Sequence, residues 1–230
     1  MLSQINKRKI SFKLNKIYNF LPKIEIDLIT EEISQLIDHF NKNNKRKNWF
    51  VSEKTTMVIC YGDSINSKNK KNLKTFQAFF NRKLSKFIDT IHFLPFYPSS
   101  SDSGFAVKDH YKIDSKFGNW SNIKNFSSKA HIMADMVINH ASARGLWFKN
   151  FLKEKKPGKD YFLLVNSKFN TSNIVRPRDH KLLKEINIFK KKEYLWRTFS
   201  DDQIDLNFKN PKVLLRFIKI MLNLIKNGVT

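Results

Sequence analysis

The stretch that decides the fold is residues 131–140, which read HIMADMVINH. Residues 131–138 are mostly apolar and predict a buried β-strand. The chain then leaves this predicted strand at two polar residues, Asn139 and His140. In parallel α/β folds, the residues that follow the strands build the functional site. The end of this strand is therefore the first place to look for chemistry.

The same alternation of strand and helix continues on both sides of this stretch. Its members are predicted strands at 56–61 and 90–94, and predicted helices at 73–87, 120–128 and 210–227. Pro211 suits the first turn of the last helix, where its missing N–H costs nothing. Strands that alternate with helices predict parallel β/α units. The fold class is therefore α/β.

The pattern divides the chain into four predicted regions. Residues 1–53 form a helical lead-in, with its clearest apolar spacing at 27–40, where Thr30 could start or reinforce the helix. The predicted regions after it are three strands over 54–138, a turn-rich inserted region over 139–209, and a helix with the start of a fourth strand over 210–230.

Charge and cysteine usage limit the classes of partner. The formal net charge is +23, but the basic residues are spread along the whole chain. No recognition helix, zinc-ligand spacing or RNA-binding aromatic motif accompanies them, so we expect no specific nucleic-acid partner and only salt-sensitive nonspecific binding. Cys60 is the one cysteine, which favours a reducing cytoplasm. We expect no membrane segment and no signal peptide, because the apolar runs are too short.

Four short motifs carry a resemblance to a known family. Residues 135–140, DMVINH, resemble the first signature region of the α-amylase superfamily, glycoside hydrolase family 13. The other motifs resemble segments of its sucrose phosphorylase and glucosylglycerate phosphorylase subfamily: 61–64 (YGDS), 92–105 (HFLPFYP and SDSGF) and 196–205 (WRTFSDDQID). The resemblance implies an incomplete TIM (β/α)8 barrel, made of its first three β/α units, with a small domain inserted after strand three.

The resemblance also implies a set of substrate-binding residues. Asp102 and His140 would grip the distal hydroxyls of a glucosyl unit, and Phe199 would stack beneath it. From the chemistry of a sugar ring alone, Phe105 or Phe199 could supply the apolar platform. Gln203 would contact the acceptor sugar or shape its subsite. Plainer interpretations remain open, because an Asp in such a loop often caps a turn, a His can be structural and Phe residues can belong to the core.

Other polar residues receive separate expectations. Arg176 and Arg178 resemble part of a mobile loop that helps to bind phosphate or the acceptor, and a guanidinium suits that anion. Asn139 matches a calcium ligand of amylases, but the phosphorylase relatives generally lack that ion, so we expect no metal. Asp135 is expected to orient a neighbouring barrel side chain. No cofactor is implied.

The reaction implied by the resemblance is retaining transfer of glucose to inorganic phosphate. The α-glucoside would be sucrose, sucrose phosphate or glucosylglycerate. Such transfer needs two carboxyl groups about 5–5.5 Å apart. In the family these lie on later strands, so we expect them beyond Thr230 and expect no catalytic residue in this sequence. A truncated, inactive chain is then expected, and an open sheet would make it poorly soluble. Alternatives are a noncatalytic sugar-binding or interaction module, or one piece of a split enzyme that a C-terminal polypeptide completes.

Overall fold

The structure is a computed structural model that describes residues 2–44, 49–166, 168–175, 178–188 and 191–230. The helices in chain order are α1 (Gln4–Ile17), α2 (Lys23–Asn43), α3 (Asn72–Phe79), α4 (Trp120–Ser127), α5 (Leu146–Leu152) and α6 (Pro211–Lys226). The strands are β1 (Met57–Cys60), β2 (Thr90–Phe93), β3 (His131–Ala134), β4 (His140–Ser142), β5 (Leu164–Val165), β6 (Leu183–Ile188), β7 (Lys191–Trp196) and β8 (Gln203–Asp205). Within these described ranges, no helix is long and apolar enough to cross a membrane.

The centre of the fold is a parallel three-stranded sheet in the order β1-β2-β3. One face of this sheet is covered by α3 and α4. There Phe93 of β2 packs with its ring centroid 5.6 Å from that of Phe76 and 5.2 Å from that of Phe126. Side chains alternate between the two faces of a strand, so Ile59 and Met133 lie on the opposite face, and both are exposed. The sheet is therefore buried on one side only.

The third strand is shorter than the sequence indicates. The prediction of a strand over 131–138 is wrong beyond Ala134, because the next residues leave the ladder. Their polar groups find side-chain partners instead. The carbonyl of Asp135 accepts a hydrogen bond from Tyr97 (2.8 Å), and the carbonyl of Val137 lies 3.0 Å from Nε2 of His110. The strand therefore ends where these buried side chains take over its hydrogen bonding.

His110 is itself part of the core. Its ring stacks on Trp147 with centroids 5.1 Å apart, and the residue is 2% exposed. Burial is the largest influence on its ionisation and lowers the pKa of His110 to about 4, although the Val137 carbonyl works against it. The imidazole is therefore neutral at neutral pH.

An excursion of the chain begins at β4 and returns at β8. The two strands pair antiparallel, with His140 opposite Asp205 and Ser142 opposite Gln203. Between them lie α5 and an antiparallel sheet in the order β5-β7-β6. The turn-rich region predicted over 139–209 did not include this second sheet, because charged and polar residues interrupt the apolar alternation of its two six-residue strands.

The helical lead-in packs against α6. Leu14, Tyr18, Ile26 and Ile29 form a small apolar cluster with Leu215 of α6. The α2 helix begins at Lys23, so Thr30 does not start it; instead the Thr30 hydroxyl donates to the carbonyl of Ile26 within the helix.

A side-chain cap fixes the start of α6, and the chain returns to the parallel sheet after this helix. The side chain of Asn210 caps the helix by accepting from the N–H of Lys212. After α6, the N–H of Thr230 donates to the carbonyl of Ile132 at 2.8 Å. The last residue of the sequence therefore lies alongside β3.

Candidate functional site

The loop after β2 has an unusual backbone at its tip. Asp102, Ser103 and Gly104 all have positive φ angles, of 55°, 49° and 106°. A Cβ at position 104 would lie 2.6 Å from the carbonyl oxygen of Pro95, a distance that real Cβ atoms essentially never show. Only glycine fits there without strain. The tight turn places the carboxylate of Asp102 at the surface, at the tip of the loop.

Three of the sequence-predicted residues meet at this loop. Nε2 of Gln203, on β8, donates to Oδ2 of Asp102 at 2.8 Å and lies 3.0 Å from Nε2 of His140, on β4. Gln203 and His140 are 1% and 5% exposed, whereas Asp102 is exposed. A buried amide thus links an exposed carboxylate to a buried imidazole.

His140 has two competing neighbours at the same ring nitrogen. Its Nε2 lies 3.2 Å from the carbonyl oxygen of Phe105 and 3.0 Å from Nε2 of Gln203. The carbonyl requires a proton on that nitrogen, but the Gln203 amide N–H requires a lone pair there. One contact is therefore a hydrogen bond at any time, and the tautomer of His140 determines which. Burial lowers the pKa of His140, with the Phe105 carbonyl, Asp205 and Asp102 opposing the shift. The ring is thus held neutral.

Two phenylalanines flank the polar group. The ring of Phe199 lies 5.0 Å from the ring of His140, at an interplanar angle of 51°, and is half-buried. Phe105 is also half-buried, and its backbone carbonyl contacts His140. The arrangement places apolar ring surface next to hydrogen-bonding groups, a combination suited to the C–H face and the hydroxyls of a sugar.

A carboxylate beside Gln203 fastens the loop that carries Asp102. Asp202 accepts hydrogen bonds from the hydroxyls of Ser100 and Ser101, the latter at 2.7 Å, and from Ser142 at 3.2 Å. Ser100 and Ser142 also contact each other at 2.5 Å. We call Ser100, Ser101, Ser142 and Asp202 the serine clamp. Hydrogen bonds to a charged group are stronger than neutral ones, so this clamp ties the loop to β4 and to the turn before β8.

A second carboxylate fastens the segment that carries Phe199. Asp205 accepts from the N–H of Thr198 at 2.8 Å and from its hydroxyl at 2.6 Å. Burial raises the pKa of Asp205, although both Thr198 contacts work to lower it. Sequence reasoning singled out neither aspartate as a positioning group. A signal was present, because both fall in the quoted stretch 196–205.

The exposed side of Asp102 opens into a cleft of about 440 Å³. Its walls include Tyr61, Asp63, Pro95, Asp102, Lys116 and Phe117. This volume suits a small ligand. Gln203 and His140 do not line the cleft. They influence it by holding Asp102 and the loop in position.

The remaining sequence-predicted residues lie elsewhere. Arg178 is exposed on the segment before β6, and Arg176 lies outside the described residues. Oδ1 of Asp135 lies 3.3 Å from Nε2 of His92 on β2. The carbonyl of Asn139 accepts from the N–H of Leu206 at 2.9 Å, at the base of the β4–β8 ladder.

Comparison with protein families places residues 82–230 within the family described as alpha amylase, catalytic domain. Glucosylglycerate phosphorylase of Escherichia coli (strain K12) is 36% identical over 227 residues, covering 96% of this chain and 40% of that protein. Sucrose phosphorylase of Streptococcus mutans is 33% identical, covering 75% of this chain and 37% of that protein. The chain thus spans about two fifths of the length of these relatives.

Solved structures give the same relationship. The crystal structure of sucrose 6F-phosphate phosphorylase from Thermoanaerobacter thermosaccharolyticum superimposes with a TM-score of 0.70 at 26% identity, covering 79% of this chain and 39% of that one. A trehalulose synthase, MutB E254Q in complex with the substrate sucrose, superimposes with a TM-score of 0.65 at 20% identity, covering 76% of this chain and 34% of that one. At this identity the second likeness concerns the fold, which is part of a TIM barrel.

Proposed function

The chain belongs to the α-amylase catalytic-domain family, and we propose that it forms the glucose-binding part of a sugar phosphorylase. The observation that carries the proposal is the link through Gln203 between Asp102 and His140 at the edge of a cleft. In this proposal β1, β2 and β3 are the first three units of the barrel, and residues 139–209 form the inserted domain.

The proposed roles follow from the chemistry of each group. The Asp102 carboxylate accepts hydrogen bonds from sugar hydroxyls, since one of its oxygens faces the Gln203 amide and the side chain is exposed to the cleft. His140 contacts Gln203 and so helps to hold the amide that faces Asp102. Phe199 and Phe105 supply apolar surface. Arg178, with Arg176, contributes to a phosphate or acceptor loop.

We propose that these residues bind an α-glucoside but do not cleave it by themselves. Retaining transfer needs a nucleophile and an acid about 5–5.5 Å apart at the anomeric carbon. Asp202 and Asp205 are already engaged with the serine clamp and with Thr198. Of the three carboxylates near Gln203, Asp102 is therefore the one left to contact a substrate. The reaction of the named relatives would then require carboxylates from another polypeptide segment. A complementing C-terminal polypeptide could supply them.

The substrates in this proposal are those of the relatives: sucrose, sucrose phosphate or glucosylglycerate, with inorganic phosphate as the acceptor. A cytoplasmic location fits such metabolites and the single cysteine. A noncatalytic sugar-binding module makes the same binding prediction, and it differs in that no added polypeptide would restore turnover.

Titration calorimetry of the chain with sucrose and with glucosylglycerate tests the proposal. We expect saturable binding of at least one glucoside. The Asp102→Asn variant should weaken it by about tenfold or more, because a charge-assisted hydrogen bond is lost. The matched control is Asp27→Asn, an exposed aspartate on α2.

A glucose 1-phosphate assay completes the test. We expect no product from the chain alone. Product release by the isolated chain, or glucoside binding that Asp102→Asn leaves intact, would refute the proposal.

A further inference from the structure

A second cavity lies between α2, α6 and the loop that follows α5. It has a volume of about 360 Å³ and shares no lining residue with the cleft at Asp102. Five of its lining residues are basic: Lys156, Lys159, Lys212, Arg216 and Lys219. Two are acidic, Glu32 and Asp160, so the formal charge of the lining is five minus two, or +3. We call this cavity the basic pocket.

Three of the cations come from one face of α6. Lys212, Arg216 and Lys219 are separated by four and three residues, a spacing that places side chains above one another on a helix. Like charges at this spacing repel and destabilise a helix. The loop adds Lys156 and Lys159 to the same cavity. An anion inside the pocket would relieve this repulsion.

Protein groups neutralise only part of this charge. Lys219 pairs with Glu32 at 3.0 Å, and Lys159 pairs with Glu154 at 3.7 Å. For Lys156 and Lys212, no carboxylate within ion-pair distance is found in the part of the chain that the structure describes.

Arg216 is held in a fixed position. Its Nε donates to the hydroxyl of Tyr161 at 3.1 Å, and the guanidinium also hydrogen-bonds Tyr111. An arginine side chain has five N–H donors, so these two contacts leave others for an anion. A preoriented guanidinium and adjacent ammonium groups form the usual receptor for phosphate oxygens.

We propose that the basic pocket binds a small phosphate-bearing anion. A pocket of this size accommodates a small molecule, whereas a nucleic-acid backbone follows an extended groove. The proposal goes beyond the glucose-binding function, because the two cavities are lined by different residues. Lys156, Lys212 and Arg216 would contact the anion, and Lys159 and Lys219 would add to the attractive field.

Binding of inorganic phosphate and of pyrophosphate to the full chain, measured by calorimetry, tests this proposal. The measurement is made at about 0.15 M salt, where attraction between distant charges is largely screened. We expect one saturable site, with pyrophosphate bound more tightly because it carries more charge. The double variant Lys156→Gln/Lys212→Gln should weaken binding by about tenfold or more, the loss expected when charge-assisted contacts are removed. The control Lys74→Gln/Lys124→Gln changes two exposed lysines elsewhere by the same net charge and should bind as the parent does.

Several outcomes overturn the proposal. Absence of a saturable site, or equal weakening in the two double variants, would show that only general charge attraction is present. A short DNA duplex that binds more tightly than pyrophosphate and is weakened by the pocket variant would make the surface a nucleic-acid contact. Pyrophosphate binding that is lost in Lys116→Gln, which removes a cation of the cleft, would locate the anion in the cleft instead. By contrast, failure of glucoside binding with intact pyrophosphate binding would support the basic pocket and contradict only the glucose-binding proposal.

Discussion

Ser101 and Asp202 contact each other at 2.7 Å, and their chain neighbours Asp102 and Gln203 contact each other at 2.8 Å. Both contacts join residues that are 101 positions apart, so two successive side chains of one loop pair with two successive side chains of the other. The clamp contact and the site contact are therefore rigidly coupled. A change that breaks the first is expected to displace the second.

The Asp202→Ala variant should loosen the loop that carries Asp102. Three serine hydroxyls lose their charged acceptor, and we expect a loss of about 1–3 kcal/mol in the free energy of unfolding. Hydrogen exchange should be faster at amides that the loop protects, such as those of Ala106 and Lys108. Asp202→Asn should retain part of the protection, because its amide oxygen still accepts. Unchanged exchange in Asp202→Ala would show that the clamp does not position the loop, whether or not the chain binds a glucoside.

The Gly104→Ala variant should be among the more damaging single substitutions in this loop. The added Cβ meets the Pro95 carbonyl, and a φ of 106° is unfavourable for alanine. We expect a loss of about 1–3 kcal/mol in unfolding free energy, measured by urea denaturation. Ser103→Ala, one residue earlier, is the control and should change stability by less than about 0.5 kcal/mol. Equal stability of the two variants would show that the turn tolerates a side chain at position 104.

Acidification should destabilise the fold through His110. The folded-state pKa of about 4 lies below the ordinary value of 6.5, so the unfolded chain binds more protons between these values. The free energy of unfolding should therefore fall as the pH falls from about 6.5 to 4, by about 3 kcal/mol from this group. The His110→Gln variant keeps a donor for the Val137 carbonyl but should flatten that dependence. The control His39→Gln, at an exposed histidine, should keep the slope of the parent, and a parent slope in His110→Gln would contradict the assignment.

The uncovered face of the parallel sheet should make the chain self-associate. Ile59 and Met133 are 60% and 45% exposed on that face. The two side chains flank the half-buried His92 on that face, and exposed apolar side chains promote association. The Ile59→Thr/Met133→Thr variant should shift the concentration dependence of light scattering toward monomer. A parent chain that is monomeric with a sharp cooperative melt at every concentration would contradict this prediction.

The sequence predicted the parallel strands and the helices that flank them because apolar residues recur there in short runs and at helical spacing. It also predicted Asp102, His140 and Gln203 as site residues, and the structure brings these three side chains together. The resemblance, rather than the spacing, supplied that prediction, because Asp102 and Gln203 are 101 positions apart.

Two features could not be predicted, for different physical reasons. The end of β3 at Ala134 depends on Tyr97 and His110, whose side chains take the carbonyl groups of Asp135 and Val137. An apolar run carries no sign of such partners. The β5-β7-β6 sheet contains segments such as 191–196, KKEYLW, in which exposed charged residues hide the alternation that marks a strand.

The β4–β8 ladder has a consequence for how this family can vary. Its three residue pairs join the two ends of the excursion at one narrow neck, with His140 on one strand of the ladder and Gln203 on the other. The outer part of the excursion, around the hairpin of β6 and β7, lies beyond that neck. The outer hairpin can therefore change in length or sequence while His140 and Gln203 keep their spacing. Under the proposed function, the acceptor preference could then change while the glucose-binding residues stay in place.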